Sequence, residues 1–237
     1  MQSFDTSTIR RIAPMTTLVL FDFDGTFADT APDMASAANR QRIKRGLEPL
    51  PTERLRPFVS MGARGMIKAS LGFEPDHPEF EQVKSDFLLD YEVNCTDQTR
   101  MFDGMNDLLE QIRSAGMHWG IVTNKATKYA RPIIQWLNLP DCAVLVCGDT
   151  TEYSKPHPLP LQHAARQVGY DPQHCIYVGD DLRDIQAAKA ARMASIAAAY
   201  GYCGLEHPVD TWQADYIAEQ TAQIWPAVMQ FTQSRQS

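Results

Sequence analysis

Two aspartates one residue apart are the residues of this chain best suited to chemistry. Asp22 and Asp24 follow the apolar run Leu18–Phe21 and precede Gly25 and Thr26. If this segment stays extended, alternate side chains share a face, so the two carboxylates point the same way about 7 Å apart. Carboxylates held so close repel each other unless a cation or a shared proton relieves them. The pair therefore suits metal-assisted chemistry with one nucleophile and one proton carrier.

Further polar groups follow at three later places in the chain. At two of them an apolar, strand-like run ends just before the polar residues, and ligands of open α/β sheets bind beyond the carboxyl ends of the strands. Parallel strands would therefore bring these groups close to the aspartate pair. The groups are Thr123 with Asn124, then Lys155 with Pro156, and then Asp180, Asp181 and Asp184.

The elements that must position these residues alternate between strand and helix. The strand candidates are short and apolar throughout, as expected of strands covered on both faces, and helical patterns lie between them. This alternation predicts an α/β fold with a doubly wound, parallel, Rossmann-like sheet. The strand candidates are 17–22, 118–123, 143–147, 175–179 and 194–198.

The segment 32–97 differs from the rest of the chain. Its helical stretches 32–45, 53–70 and 79–93 are separated by glycines and prolines, and it contains no convincing buried strand. We therefore predict a small α-helical cap domain over 32–97. The core would comprise 16–31 and 98–237, and 1–15 would be a flexible leader.

Composition excludes several classes of function. The 22 basic and 29 acidic residues give a net charge of −7 over 237 residues, so there is no basic footprint for nucleic acid. No apolar run reaches the ~18 residues that span a membrane. The five cysteines show neither a CxxC pair nor zinc-like spacing, which favours reduced thiols in the cytoplasm. We expect no nucleic-acid or membrane partner, and a monomer or a homodimer.

The set of motifs resembles the haloacid dehalogenase-like (HAD) hydrolase superfamily over about residues 17–230. The resemblance rests on the order DxDGT, Thr-Asn, Lys-Pro and Gly-Asp-Asp. It implies a phosphatase, that is, a phosphoric monoester hydrolase, with Mg²⁺ as cofactor and a small phosphorylated metabolite as substrate. It also implies that Asp22 is the nucleophile that forms an aspartyl-phosphate, and that Asp24 is the acid and base.

The resemblance assigns the remaining residues to metal and phosphate. Together with Asp22 and the backbone carbonyl of Asp24, Asp180 would ligate Mg²⁺, and Asp181 or Asp184 would hold its waters. A hydroxyl, an ammonium and an amide would contact the phosphate. These belong to Thr123, Lys155 and Asn124.

Within the superfamily, three stretches are similar to bacterial phosphoglycolate phosphatases and to the related N-acetylmuramic acid 6-phosphate phosphatases. These are SKPHPLPL, GDDLRDIQAAKAARM and AYGYCG. Both substrates carry a carboxylate. In the predicted cap, Arg64 lies among glycines at a helix start indicated by the sequence, and it would bind such a carboxylate in bidentate fashion. The alternative is an exposed arginine after a turn.

Three other functions compete with this interpretation. A β-phosphoglucomutase-like phosphomutase would use the same aspartate, but its cap must exclude water and present a second sugar hydroxyl. A dehalogenase would not need Asp24. A non-catalytic binding protein on a phosphatase scaffold would be supported by loss of Asp22, Asp24 or Asp180, and all three are present.

The chain departs from the common family pattern at Phe27 and Ala28, in the loop that would hinge the cap.

Overall fold

The computed structural model describes residues 17–204 and 206–234, so the predicted leader over 1–15 lies outside the described residues. None of the helices in these ranges combines the length and the apolar character needed to cross a membrane. The strands, in chain order, are β1 Leu18–Phe21, β2 Ala28–Asp29, β3 Arg100–Met101, β4 His118–Val122, β5 Cys142–Val146, β6 Cys175–Gly179, β7 Ala194–Ala198 and β8 Tyr216–Ala218.

Helices connect these strands and cover the sheet. They are α1 Ala31–Ile43, α2 Thr52–Leu55, α3 Gly62–Leu71, α4 Phe80–Asn94, α5 Met105–Ser114, α6 Thr127–Trp136, α7 Leu159–Val168, α8 Leu182–Ala191 and α9 Ile224–Ser234.

Six strands form one parallel sheet in the order β5-β4-β1-β6-β7-β8. The order reverses beside β1: the chain builds outward through β4 and β5, then crosses to β6 on the other side of β1. All residues of β1 and β6 are buried, as their apolar sequences predict for strands covered on both faces. The predicted doubly wound parallel sheet is confirmed. The sequence analysis missed β8, a strand of three residues at the sheet edge.

The first four helices lie between β2 and β3, where the sequence predicts the cap; we call residues 32–97 the cap segment. The two short strands pair antiparallel, Ala28 with Met101 and Asp29 with Arg100. The chain therefore leaves and re-enters the core at one place. Asp29 also accepts two hydrogen bonds from the Arg56 guanidinium, at 2.9 and 3.0 Å, which fixes the cap segment to this stem.

An aromatic cluster packs beneath the stem. Phe27 stacks on Trp119 with ring centroids 5.4 Å apart, and it meets Phe21 edge-on at 5.8 Å. Phe21 and Phe27 are completely buried. The departure from the family pattern at Phe27 thus adds buried aromatic area directly below the point where the cap segment joins the core.

We expect Phe27→Ala to lower the free energy of unfolding by about 3–5 kcal/mol, since it opens a cavity among packed rings. Phe27→Leu should cost clearly less because it fills part of the space. Val93→Ala is the control: Val93 is 80% exposed, so its loss should change stability by no more than about 0.5 kcal/mol. Denaturant titration measures all three, and equal costs for Phe27→Ala and Val93→Ala would contradict the packing described.

Candidate active site

The polar residues singled out in the sequence follow the carboxyl ends of neighbouring strands. Asp22 comes directly after β1, and its backbone N–H donates to Val178 of β6 at 2.8 Å. Thr123 comes directly after β4 and donates to Val146 of β5 at 2.9 Å. Each residue is therefore fixed by the last rung of a parallel ladder, and the structure brings the groups together at one edge of the sheet.

Lys155 is the buried cation of this edge. Its Nζ lies 2.8 Å from Asp22 Oδ1 and 2.7 Å from Asp184 Oδ1, and it donates to the Tyr177 hydroxyl at 2.8 Å. Burial opposes the charge of the ammonium, but Asp184 and Asp22 outweigh it, so the pKa of Lys155 is raised and the side chain stays protonated. The ammonium binds two carboxylates from different elements, one directly after β1 and the other on α8.

Asn124 holds the backbone of Lys155. Its Nδ2 donates to the Lys155 carbonyl at 2.9 Å, and the Lys155 N–H donates to its Oδ1 at 2.9 Å. With both ends of its amide used in this way, Asn124 positions the lysine. Thr123 lines the cavity at this edge, and its Oγ1 accepts the Lys125 N–H at 3.1 Å.

Three carboxylates form an acidic cluster. One oxygen each from Asp22, Asp180 and Asp184 lies within 4.8 Å of the others. Asp180 accepts hydrogen bonds from Thr26 Oγ1 at 2.7 Å and from the Tyr202 N–H at 2.8 Å. Burial, reinforced by the charges of Asp22 and Asp184, nevertheless raises the pKa of Asp180 well above its usual range. The cluster carries more negative charge than its neighbours neutralise.

Asp184 shares this electrostatic strain. Burial raises its pKa to about 7, with Asp22 and Asp181 adding to the effect and Lys155 opposing it. The cluster offers closely spaced carboxylate oxygens whose negative charge is not fully neutralised. Such oxygens are the ligands that a hard divalent cation prefers. The residues present therefore fit a metal ion.

The close packing around Asp180 requires a glycine at position 25. Gly25 has φ +87°, and a Cβ there would lie 2.1 Å from the Asp180 carboxylate. Only glycine satisfies both the backbone angle and the contact.

Asp181 and Asp184 take different places. Asp181 caps α8: its Oδ1 accepts the Arg183 N–H at 2.9 Å, while Asp184 Oδ2 accepts the Asp181 N–H at 3.0 Å, a reciprocal capping box. The Asp184 carboxylate is also part of the acidic cluster, whereas the Asp181 carboxylate pairs with the Arg183 guanidinium.

Asp24 is bound by a lysine that the sequence analysis did not identify. Lys125 Nζ donates to Asp24 Oδ1 at 2.7 Å, and the Thr30 hydroxyl donates to the same oxygen. Burial works against the Lys125 charge, but Asp24 raises its pKa, so the lysine remains a cation. Its position directly after Thr123 and Asn124 was the available sequence signal.

A cavity of about 300 Å³ lies above these groups, between the core and the cap segment. Arg64, the predicted carboxylate ligand, is exposed on α3. It lies near Glu74, where its charge adds to the larger effect of Lys68 and lowers the pKa of the Glu74 carboxyl. Arg183 does line the cavity. The wall from the cap segment includes Ser60, Met61, Gly62, Ala63, Phe87 and Tyr91.

The fold and this acidic edge define an α/β protein with a candidate site for a divalent metal ion. The sequence model of the haloacid dehalogenase-like hydrolases matches residues 19–198, and the chain belongs to this family. The predicted family resemblance is confirmed.

Relatives of known name agree. The chain is 42% identical over 210 residues to N-acetylmuramic acid 6-phosphate phosphatase of Pseudomonas aeruginosa, covering 87% of this chain and 92% of that protein. It is 44% identical over 209 residues to phosphoglycolate phosphatase of Xanthomonas campestris pv. campestris, covering 87% and 94%. These relatives and the family confirm the prediction of a phosphoric monoester hydrolase.

A solved structure shows the same architecture. A protein described as a predicted phosphoglycolate phosphatase from Haemophilus somnus 129PT superposes with a TM-score of 0.79 at 26% identity, covering 90% of this chain and 97% of that one.

We expect Asn124→Ala to lower the free energy of unfolding by about 1–3 kcal/mol, because both backbone groups of Lys155 would lose their partner. Asn106→Ala, at an exposed position on α5, is the matched control and should stay within about 0.5 kcal/mol. Denaturant titration compares the two variants. If they cost the same, Asn124 does not hold the Lys155 segment.

Proposed function

We propose that the protein hydrolyses a small phosphate monoester through an aspartyl-phosphate on Asp22, with Mg²⁺ as cofactor. The observation that carries the proposal is the convergence of Asp22, Lys155 and the acidic cluster on one cavity, with Lys155 Nζ 2.8 Å from Asp22 Oδ1. A carboxylate beside a buried ammonium is a nucleophile that a dianionic phosphate can approach.

In the proposed reaction, an Asp22 oxygen attacks phosphorus and forms the new P–O bond as the ester oxygen leaves. Asp24 protonates that leaving oxygen. It then takes a proton from the water that cleaves the Asp22–phosphate bond, so the enzyme returns to its starting state. Asp24 suits this role because Lys125 and Thr30 hold its carboxylate in place.

The phosphate would be bound by groups that already point into the cavity. Lys155 supplies charge, Thr123 a hydroxyl, and Asn124 the support that fixes the lysine. Donors set in advance stabilise developing charge without reorganising during the reaction.

Mg²⁺ would be held by Asp22, Asp180 and the backbone carbonyl of Asp24, with Asp184 orienting its waters and Asp181 holding α8 in place. When bound, the ion offsets the charge that the nucleophile and the phosphate bring together. The burial of Asp180 and Asp184 beside Asp22 supports this assignment.

We propose a carboxylate-bearing substrate such as 2-phosphoglycolate or N-acetylmuramic acid 6-phosphate, on the basis of the named relatives. A role for Arg64 in selecting it stays a prediction, and the exposed position of that side chain does not favour it. A cytoplasmic location and a monomeric or homodimeric state also stay predictions. None of the five cysteines forms a disulfide.

We expect Asp22→Asn to lower kcat by at least about 10⁴-fold, because the amide cannot attack phosphorus. Phosphate release from both substrates measures activity, and intact-protein mass after acid quench detects a covalent phosphoryl group. Asp107→Asn, an exposed position on α5, should keep wild-type activity. A phosphorylated Asp22→Asn protein would exclude the nucleophile assignment, and isomerisation that depends on a sugar bisphosphate would favour the phosphomutase.

We expect Mg²⁺ at about one hundred times its Kd to raise the Tm of the metal-free protein by roughly 5–10 °C at pH 7.5. The rise should shrink at pH 5. The folded-state pKa of Asp184 is raised to about 7, so between its unfolded-state pKa and that value the folded chain holds a proton that the unfolded chain has lost. At pH 5 this proton stabilises the folded chain and takes the place of the ion.

Asp180→Asn is the matched variant for the Mg²⁺ experiment, since it removes one charge and keeps the side-chain shape. It should abolish most of the rise in Tm at pH 7.5. An unchanged rise in that variant would place the metal elsewhere.

A further inference from the structure

Arg183 joins the two halves of the cavity. It is the second residue of α8 in the core, and its Nη2 donates to the Ser60 backbone carbonyl of the cap segment at 2.7 Å. Its Nε and Nη2 also donate to the two carboxylate oxygens of Asp181, at 2.8 and 2.9 Å. The guanidinium plane is therefore fixed on two sides before any ligand arrives.

These contacts leave donors available on Arg183. A guanidinium carries five N–H groups, and the contacts described above use Nε and Nη2. Within residues 17–204 and 206–234, Nη1 makes no hydrogen bond to the protein. The side chain is 38% exposed and lines the cavity, so a ligand there can reach it.

Ser60 adds a second unsatisfied group at the same place. Its hydroxyl oxygen is buried and has no hydrogen-bond partner among the described residues, although Ser60 lines the cavity. A buried hydroxyl without a partner costs free energy, and a ligand oxygen that accepts from it would remove that cost.

The other two cations of the cavity are already engaged by the reacting groups. Lys155 binds Asp22 and Asp184, and Lys125 binds Asp24. Among the described cavity residues, Arg183 is thus the cation positioned away from the aspartate pair, at the contact with the cap segment. It is suited to bind the part of the substrate that leaves with the ester oxygen.

We propose that Arg183, with Ser60, binds a carboxylate on the leaving group and so determines the specificity of the enzyme. This role of Arg183 rests on the proposed function, and it makes Arg183 the residue that recognises the substrate carboxylate. The two N–H groups of Nη1 remain to donate to the carboxylate, and the positive charge of the guanidinium compensates the second anionic group of such a substrate. This assigns to Arg183 the role that the sequence analysis gave to Arg64.

The test compares substrates that carry the carboxylate with analogues that lack it. One pair is N-acetylmuramic acid 6-phosphate and N-acetylglucosamine 6-phosphate, which lacks the lactyl carboxylate. The second pair is 2-phosphoglycolate and its amide. The measured quantity is the ratio of kcat/KM within each pair, in the presence of Mg²⁺, for the wild type and for Arg183→Gln, Arg183→Lys, Ser60→Ala and Arg64→Gln. Arg166→Gln, at an exposed position on α7, is the surface control.

We expect Arg183→Gln to lower the ratio roughly ten- to a hundredfold in the pair whose acid the enzyme prefers, through a higher KM for the acid. Arg183→Lys should restore part of the ratio because it keeps the positive charge without the fixed Nη1 donors. Ser60→Ala should have a smaller effect of the same sign, and Arg166→Gln should leave the ratio unchanged.

Three outcomes would overturn the proposal. Equal losses for both members of a pair, including complete loss in both Arg183 variants, would mean that Arg183 only fixes the cap segment to the core. A change in the ratio that follows Arg64→Gln instead would restore the sequence-based assignment. A wild-type enzyme that shows no preference for the acid in either pair would exclude a carboxylate subsite. Failure of the proposed function differs from these, because the wild type would then release no phosphate from any substrate.

Discussion

The site depends on negative charge buried at the carboxyl edge of a parallel sheet with too few cations to balance it. Asp22, Asp180 and Asp184 lie together, and Lys155 is the ammonium that contacts two of them. In a buried environment such a cluster is unfavourable, which the raised pKa of Asp184 expresses directly. The fold holds the carboxylates at this spacing regardless, because Asp22 and Asp180 directly follow β1 and β6, and Asp184 lies in the first turn of α8. A site built this way could hold a cation, and it favours reactions in which a carboxylate loses negative charge.

Much of this could be predicted from the sequence because local patterns determine it. Short apolar runs indicated the five central strands to within a residue or so, and the polar residues at their ends indicated the edge where the site lies. Order along the chain was enough to anticipate that Asp22 and Asp180 would meet, since parallel strands share their carboxyl ends. The short strands β2, β3 and β8 were missed because two or three residues are too few to show the alternation of apolar and polar side chains that indicates a strand.

The contacts between the core and the cap segment could not be predicted. Arg64 has the residue type and glycine neighbours of a ligand, yet which face of α3 it occupies depends on how that helix packs, which one sequence does not determine. Arg183 pairs with Asp181 and also reaches Ser60, which is 123 residues away in sequence. Lys125 depended on the same long-range geometry, because its partner Asp24 is 101 residues away. Side chains that join distant segments are visible only once the segments are packed.

The two-residue stem formed by β2 and β3 has a consequence for how such enzymes diversify. Because the inserted helices depart from and return to adjacent backbone positions, replacing them leaves the ends of the loop almost where they were, and the entropy of closing it changes only slowly with its length. The sheet edge that carries the acidic cluster and the cap segment that faces it across the cavity can thus be altered separately. New substrate ranges become accessible by exchange of one contiguous stretch of gene, while the reacting groups keep their places.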